Sequence, residues 1–255
     1  MTEQTKLPEF HGKPLIKIPK NIPRADFLRE DFGKAVLEEY KGRASLDYEN
    51  PSALNVLFYS NDVVVGSNPF AVVLVNSIIQ EEGLRTATQA DLEEISRLEV
   101  LSLKEYYEET ALVLRTFKDS YKPNDYLAKH LISQLKARGI KELPIMIPLA
   151  GLELISDKNS HYQLAFNIKE DADIIYAPIL NEEGCFNSEN IDKKTGLPKK
   201  TGAGNRHLFA REDGLSVLYR DGGLALGAGD EVLVGSYSGG RVVVVSKNFS
   251  IRDED

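Results

Sequence analysis

The sequence predicts an α+β domain, spanning residues 55–248, and three observations carry that expectation. β-branched and aromatic runs (NVLFYS, DVVVG, HYQLAFNIK, ADIIYAPIL) recur between turn residues, which is the pattern of short strands. Two helices with clear start and stop signals lie between these runs. The C-terminal tract Gly214–Ser246 spaces leucines between blocks of small residues and closes on four valines, Val242–Val245. Two helices packed on a small twisted antiparallel sheet, with Val242–Val245 as an inner strand, satisfy all three.

Taken in order, residues 1–54 are charged and punctuated by proline. They read as an N-terminal arm or small cap with one helix at Phe27–Gly42. NVLFYS and DVVVG then form a hairpin around Ser60, Asn61 and Asp62. Asn68 precedes Pro69, which suits the first turn of a helix because proline has no N–H to leave unpaired there; Gly83 is the stop. The apolar residues of Pro69–Glu82 nearly encircle the axis, so this helix is expected to be deeply buried. Thr88 is the expected N-cap of a second helix, Thr88–Val100, with Asp91 at the capping-box position. A third helix falls within 121–140, capped by Asn124 or Asp125 and stopped by Gly139. LPIMIPLAGLELIS and the two runs after it read as strands. The segment from Cys185 to Arg206 reads as a loop long enough to be functional or mobile, and RHLFAR as a strand. A charged tail, 249–255, closes the chain.

The tract 214–246 holds the most information. Glycine at 222, 223, 227, 229, 235, 239 and 240 weakens any core strand, since it adds entropy cost and packs nothing. Leu215, Leu218, Leu224, Leu226 and Leu233 nonetheless recur as anchors. A surface held down at intervals and free between them fits that spacing.

Composition narrows the function classes. The 255 residues are 42% hydrophobic and 27% charged, as in an ordinary globular chain, and the net charge of −8 argues against a phosphate-backbone binder, so no nucleic-acid partner is expected. No signal-peptide core or membrane-length apolar run occurs, which leaves a cytoplasmic protein or one delivered on a virion or cell surface. Cys185 is alone, so no disulfide framework is expected. LGAGDEVLVG lacks the helix that a dinucleotide loop requires, and GAGNRH lacks the lysine of a phosphate-binding loop. His11, His130, His161 and His207 share no metal-ligand spacing. No catalytic residue, cofactor or metal is therefore assigned. Glu105-Tyr106-Tyr107-Glu108-Glu109 is the one stretch with the ingredients of a carbohydrate-cleaving cleft.

Two segments carry a family resemblance. GLRTATQADLEEI (83–95) resembles the turn-plus-helix GxRLPTEAEWE of the formylglycine-generating-enzyme branch of the C-type lectin fold. Arg85, Thr88, Ala90 and Glu93 match, whereas Thr86-Ala87 and Leu92 depart from it. RHLFAREDGLSVL, with the small-residue tract and GRVVVVS after it, resembles the C-terminal variable region of proteins diversified by retroelements, the archaeal members above all. The resemblance implies a C-type lectin-like fold with inserted helices and loops between 96 and 160. It also implies a non-enzymatic binding protein whose residues 214–246 are rewritten through adenine-directed miscopying of template codons such as AAC.

On that resemblance the ligand-binding positions are Tyr219, Arg220, Asp221, Gly222, Gly223, Ala225, Gly227, Gly229, Asp230, Val234, Gly235, Tyr237 and Gly239, all reachable from such a codon. Glu231 is not reachable. Tyr219, Arg220, Asp221, Asp230 and Tyr237 are expected on one solvent-facing patch, suited to a protein or peptide ligand. Copper chemistry of the oxidase relatives needs two cysteines and is not expected. Asp192, Asp213 and Asp230 qualify as calcium ligands by residue type alone. The alternative is an enzyme of the same fold, hydrolase or oxidoreductase, using the Glu105–Glu109 cluster or the 185–206 loop.

Overall fold

A computed structural model describes residues 25–246, together with the backbone of a short hairpin, Glu9–Phe10 (β1) with Lys13–Pro14 (β2). The charged tail 249–255 lies outside the described residues. Helix makes up 32% and strand 28%, and the main sheet curls into a half-barrel, so the architecture is mixed α and β. After β3 (Ala25–Phe27) come α1 (Glu30–Leu46), the hairpin β4 (Phe58–Ser60) and β5 (Val63–Val65), α2 (Pro69–Ile79), β6 (Leu84–Thr86) and α3 (Gln89–Leu98). Then come β7 (Glu108–Leu114), α4 (Asp125–Ala137), β8 (Ile145–Pro148), β9 (Leu152–Ser156), β10 (Leu164–Ile168), β11 (Ile175–Tyr176) and β12 (Gly184–Phe186). The chain ends in β13 (Arg206–Phe209), β14 (Leu215–Arg220), β15 (Leu226–Asp230) and β16 (Val243–Ser246).

Several local signals act as the sequence suggests. Asn61 and Asp62 turn the β4–β5 hairpin with positive φ (50° and 59°), the conformation such a turn demands. Asn68 caps α2 by accepting from the Ala71 N–H, and every residue of α2 except Ser77 is buried. At α3 the capping box is complete, with Asp91 also gripped by Arg85. The cap of α4 differs. Asn124 occupies the N-cap position, yet its buried amide donates to Leu215 O and Glu231 O while accepting from the Tyr162 hydroxyl. Tertiary hydrogen bonds outcompete the local cap, and they tie α4 to the C-terminal tract.

The main sheet runs β11-β8-β7-β14-β15-β13-β12, antiparallel except for β13 beside β15. One face presents Leu112, Leu114, Leu215 and Val217 to a core shared with α1, α2 and α4. The other presents Ala111, Val113, Leu218, Leu226 and Ala228 to Phe186, Leu197 and Leu208. Arg115 staples this sheet: its buried guanidinium donates to Ser216 Oγ (2.8 Å), Leu180 O (2.7 Å) and Ala228 O (2.9 Å).

Two expectations are corrected here. From Ala25 onward the segment 1–54 is no arm: Leu28, Val36, Leu37, Tyr40 and Leu54 enter the main core, and α1 runs to Leu46, not Gly42. The valine run also lies outside the main sheet. Strand β16 is the centre of a separate three-stranded sheet, between β3 and β6, with Val244 facing the main core and Val243 and Val245 facing a small core under α3. Its second neighbour belongs to the supposed arm, so no boundary falls at residue 54.

Candidate functional site

Strand β14 decides where the tract's side chains point. Alternation sends Leu215 and Val217 to one core and Leu218 to the other. Register then shifts on both sides. Against β7, Leu218 faces Ala111 but Tyr219 faces Glu109, leaving Thr110 as an extra residue. Against β15, Val217 faces Asp230 and Tyr219 faces Gly227, again with one residue too many. Such bulges bend a strand and re-aim the side chains beyond them. Thr110 repairs the ladder, its hydroxyl lying 3.2 Å from Leu218 O.

Beyond the bulge Tyr219 and Arg220 part company, and the expectation for Arg220 is corrected. Arg220 is 1% exposed, lies opposite Glu108, and reaches Leu103 O at 3.3 Å and Glu108 Oε2 at 3.4 Å. It lies on the buried side of the strand, while the neighbouring Tyr219 is half-buried against the edge of the main core on the opposite face, so Arg220 takes no place on a solvent-facing patch. Desolvation dominates the pair: burial pulls the Arg220 guanidinium below its usual range and lifts Glu108 to about 7, against the attraction between them.

Tyr219 is half-buried, with its ring laid over Gly227; a Cβ there would stand 2.2 Å from the ring. Tyr107 packs edge-on to it with centroids 6.3 Å apart, and edge-on to Tyr237 at the same distance. The Tyr107 hydroxyl accepts from the Tyr237 N–H at 2.8 Å and lies 3.3 Å from Tyr237 O. The backbone beside it is laced as well: Tyr107 N–H donates to Gly239 O (3.2 Å), and Arg241 N–H to Tyr107 O (3.0 Å). Tyr237 itself is 74% exposed. Asp221 and Asp230 come close enough to Tyr219 that, after burial, their charges add to the upward shift of its phenol. Tyr219 and Tyr237 thus flank Tyr107, and Asp221 and Asp230 lie within electrostatic reach of Tyr219.

Glu109 lies beside this group. It is 7% exposed, and neither its Oε2 nor the neighbouring Ser67 hydroxyl makes a hydrogen bond of full geometry, although Ser67 lies close enough to act on the carboxyl. Burial lifts the Glu109 carboxyl to about 8, the Asp230 charge adds to the rise, and Ser67 opposes it. Its own charge raises the phenols of Tyr107 and Tyr219, whose larger cause is burial. Glu108 and Glu109 act on opposite sides of β7, and Glu105 is exposed at a positive φ of 72°. The Glu105–Glu109 cluster is therefore not brought together as a facing pair of carboxylates.

The remaining tract positions sort by space. Gly239 has room for a side chain and a Cβ on Gly223 would stand 3.3 Å from Asp221 Oδ1, whereas a Cβ on Gly222 would meet the Glu105 backbone at 2.5 Å. Gly229 and Gly235 face backbone carbonyls of Ala210 and Val232 at 3.0 and 3.1 Å. Ala225 and Val234 are half-buried. Among the leucine anchors, Leu215, Leu218, Leu226 and Leu233 are fully buried. Leu224 is not; it turns the chain at φ 67°, and its carbonyl accepts from Arg206 Nε. Sequence reasoning passed over Tyr107, Glu109 and Ser67 as parts of this surface. Only the tyrosine-rich EYYEE run signalled the first two.

Elsewhere, the 185–206 segment is docked, with Phe186 and Leu197 in the core and Gly196 against the α3 backbone. Arg206 anchors it by a bidentate pair with Glu93 (2.6 and 2.7 Å). Cys185 Sγ lies 3.7 Å from His207 Nδ1 across the β12–β13 pair, and His207 Nε2 lies 3.7 Å from Glu183 Oε1. Asp192 accepts from its own turn, Asp213 pairs with Arg211, and Asp230 accepts from the Val232 N–H, so the three share no site. Among the described residues no group of three His, Cys, Asp or Glu is placed to hold a metal, and no helix is long and apolar enough to cross a membrane. No family model, curated protein or solved structure matches the chain.

Proposed function

We propose that this chain is a ligand-binding protein without enzymatic activity, whose C-terminal surface is a diversified recognition site on a C-type lectin-like fold. The reading takes it for a variable protein of a retroelement, of the archaeal kind. The observation that carries it is the sorting within one tract. Leu215, Leu218, Leu226 and Leu233 fill the cores, while Tyr219 and Tyr237 flank Tyr107, with Asp221 and Asp230 in electrostatic reach of Tyr219, on backbone pinned from several sides. Rigid scaffolding beneath large amphipathic side chains suits recognition of a protein or peptide, because little entropy is lost on binding. The enzyme alternative has less support, since the Glu105–Glu109 carboxylates diverge.

The test is genomic and then biochemical. A near-identical copy of the DNA encoding 214–246, differing at adenines and lying beside a reverse-transcriptase gene, is the expected finding. Substitutions at positions that differ between the copies are expected to leave the fold intact. A neighbourhood lacking both the copy and the reverse transcriptase defeats the reading.

A further inference from the structure

We infer that the tyrosine surface is a seat for a cation, and that its ligand presents a lysine or arginine side chain to Tyr107, Tyr219 and Tyr237 with Glu109 as the counter-charge. The inference rests on the binding-surface reading above and names the chemistry of the partner. Three independent features converge on it. The Tyr107 ring packs edge-on to Tyr219 and to Tyr237, each at 6.3 Å, and Tyr237 is 74% exposed, so its open ring face attracts cations through its quadrupole. The Glu109 carboxyl beside them is more than nine-tenths buried, with Oε2 unpartnered, and it lacks a cation within the described residues. The charges that act on Tyr219 from the end of β15 and from the turn after β14, Asp230 and Asp221, are also negative.

A buried acid without a partner is costly to ionise, and a cation supplied by the ligand removes that cost. Facing Glu109 are Tyr219 from β14, Asp230 from β15, Ser67 from the segment ahead of α2 and Tyr107 from just ahead of its own strand, none of them positive. Because burial holds the carboxyl protonated up to about pH 8, docking of a cation below that pH expels a proton. Binding therefore tightens as the pH rises toward 8 and levels off above it.

The experiment uses the full chain and four acetylated tripeptide amides, Gly-X-Gly, with X arginine, citrulline, lysine or acetyl-lysine. Tyrosine ring signals are followed by NMR during titration. The arginine or lysine peptide is expected to move the resonances of Tyr107, Tyr219 and Tyr237 and to bind about tenfold tighter than its neutral counterpart. The gap is expected to widen from about pH 6.5 to about pH 8.5. Glu109→Gln is expected to reduce the preference and remove its pH dependence, and Tyr237→Ala, at an exposed position, to weaken it without unfolding the chain. Equal binding of charged and neutral peptides, shifts mapping elsewhere, or no shift with any peptide overturns the inference. If the DNA copy is found but the peptides do not discriminate, the cation seat alone falls. If they discriminate and no copy exists, diversification alone falls.

Discussion

Replacing Glu109 by glutamine tests the electrostatics of the surface without changing its shape. The folded carboxyl titrates near 8 against an ordinary value of 4.5, and the cause is burial first, with Asp230 adding to it. The sign depends on which form the fold prefers. A raised carboxyl leaves the folded protein at full stability below about pH 4.5, and stability is then lost progressively as the pH climbs through 8. Each unit of difference corresponds to about 1.4 kcal/mol, so the penalty grows by about 4 kcal/mol between about pH 5 and about pH 8.5. Glutamine cannot ionise and escapes it. Glu108, which is raised to about 7, titrates in the same window, but it is present in both proteins and cancels from the difference.

Urea unfolding of both proteins at the two pH values measures this directly. Nearly equal stability is expected at the acidic end, with the glutamine variant ahead by several kcal/mol at the alkaline end. A difference that does not change with pH would mean that Glu109 is solvated or already paired, and the cation seat would lose its counter-charge.

The packing dictates three further outcomes. Arg206→Ala strands Glu93 without its bidentate partner and is expected to cost about 3–5 kcal/mol in urea unfolding, with α3 and the 185–206 segment losing amide protection together. Gly227→Ala drives a methyl group into the Tyr219 ring and is expected to cost about 1–3 kcal/mol; in a Tyr219→Ala background most of that cost is expected to disappear, which a double-mutant cycle reads out. Thr110→Val keeps the shape but removes the hydroxyl beside Leu218 O, so a loss of about 1–2 kcal/mol is expected by thermal or urea unfolding.

Much of the local structure was legible because its signals are local. Asn68 and Thr88 cap their helices through bonds to residues three positions on, and Asn61-Asp62 turns a hairpin through its own φ angles. What stayed hidden depends on partners far along the chain. Strand β7, next to the central β14 in the main sheet, begins in a run of glutamates that gives no strand signal. It is a strand because Arg220 and a bulge accommodate Glu108 and Thr110 more than a hundred positions away. The placement of β3 beside β16 was invisible for the same reason, since three residues of ordinary composition carry no sign of their partner. On the surface itself, Tyr219 and Tyr237 were legible from composition. Arg220 misled because the identity of a residue does not say which face of a strand it occupies.

The bulge accounts for how a strand at the centre of a sheet can also furnish a recognition surface. Up to Leu218, β14 is committed on both faces: Val217 to one core and Leu218 to the other. An unbroken ladder would continue that commitment to the end of the strand. The extra residues on β7 and β15 break the register at one point, after which Glu109 stands beside Tyr219 on one side and Glu108 meets Arg220 on the other. The buried pair closes the inner face beyond Leu218, where a longer apolar contact would otherwise be required. The outer face is left with a tyrosine, two aspartates and an unpartnered acid. Tyr237, 74% exposed beside this face, can therefore change without reaching the residues that fill the two cores.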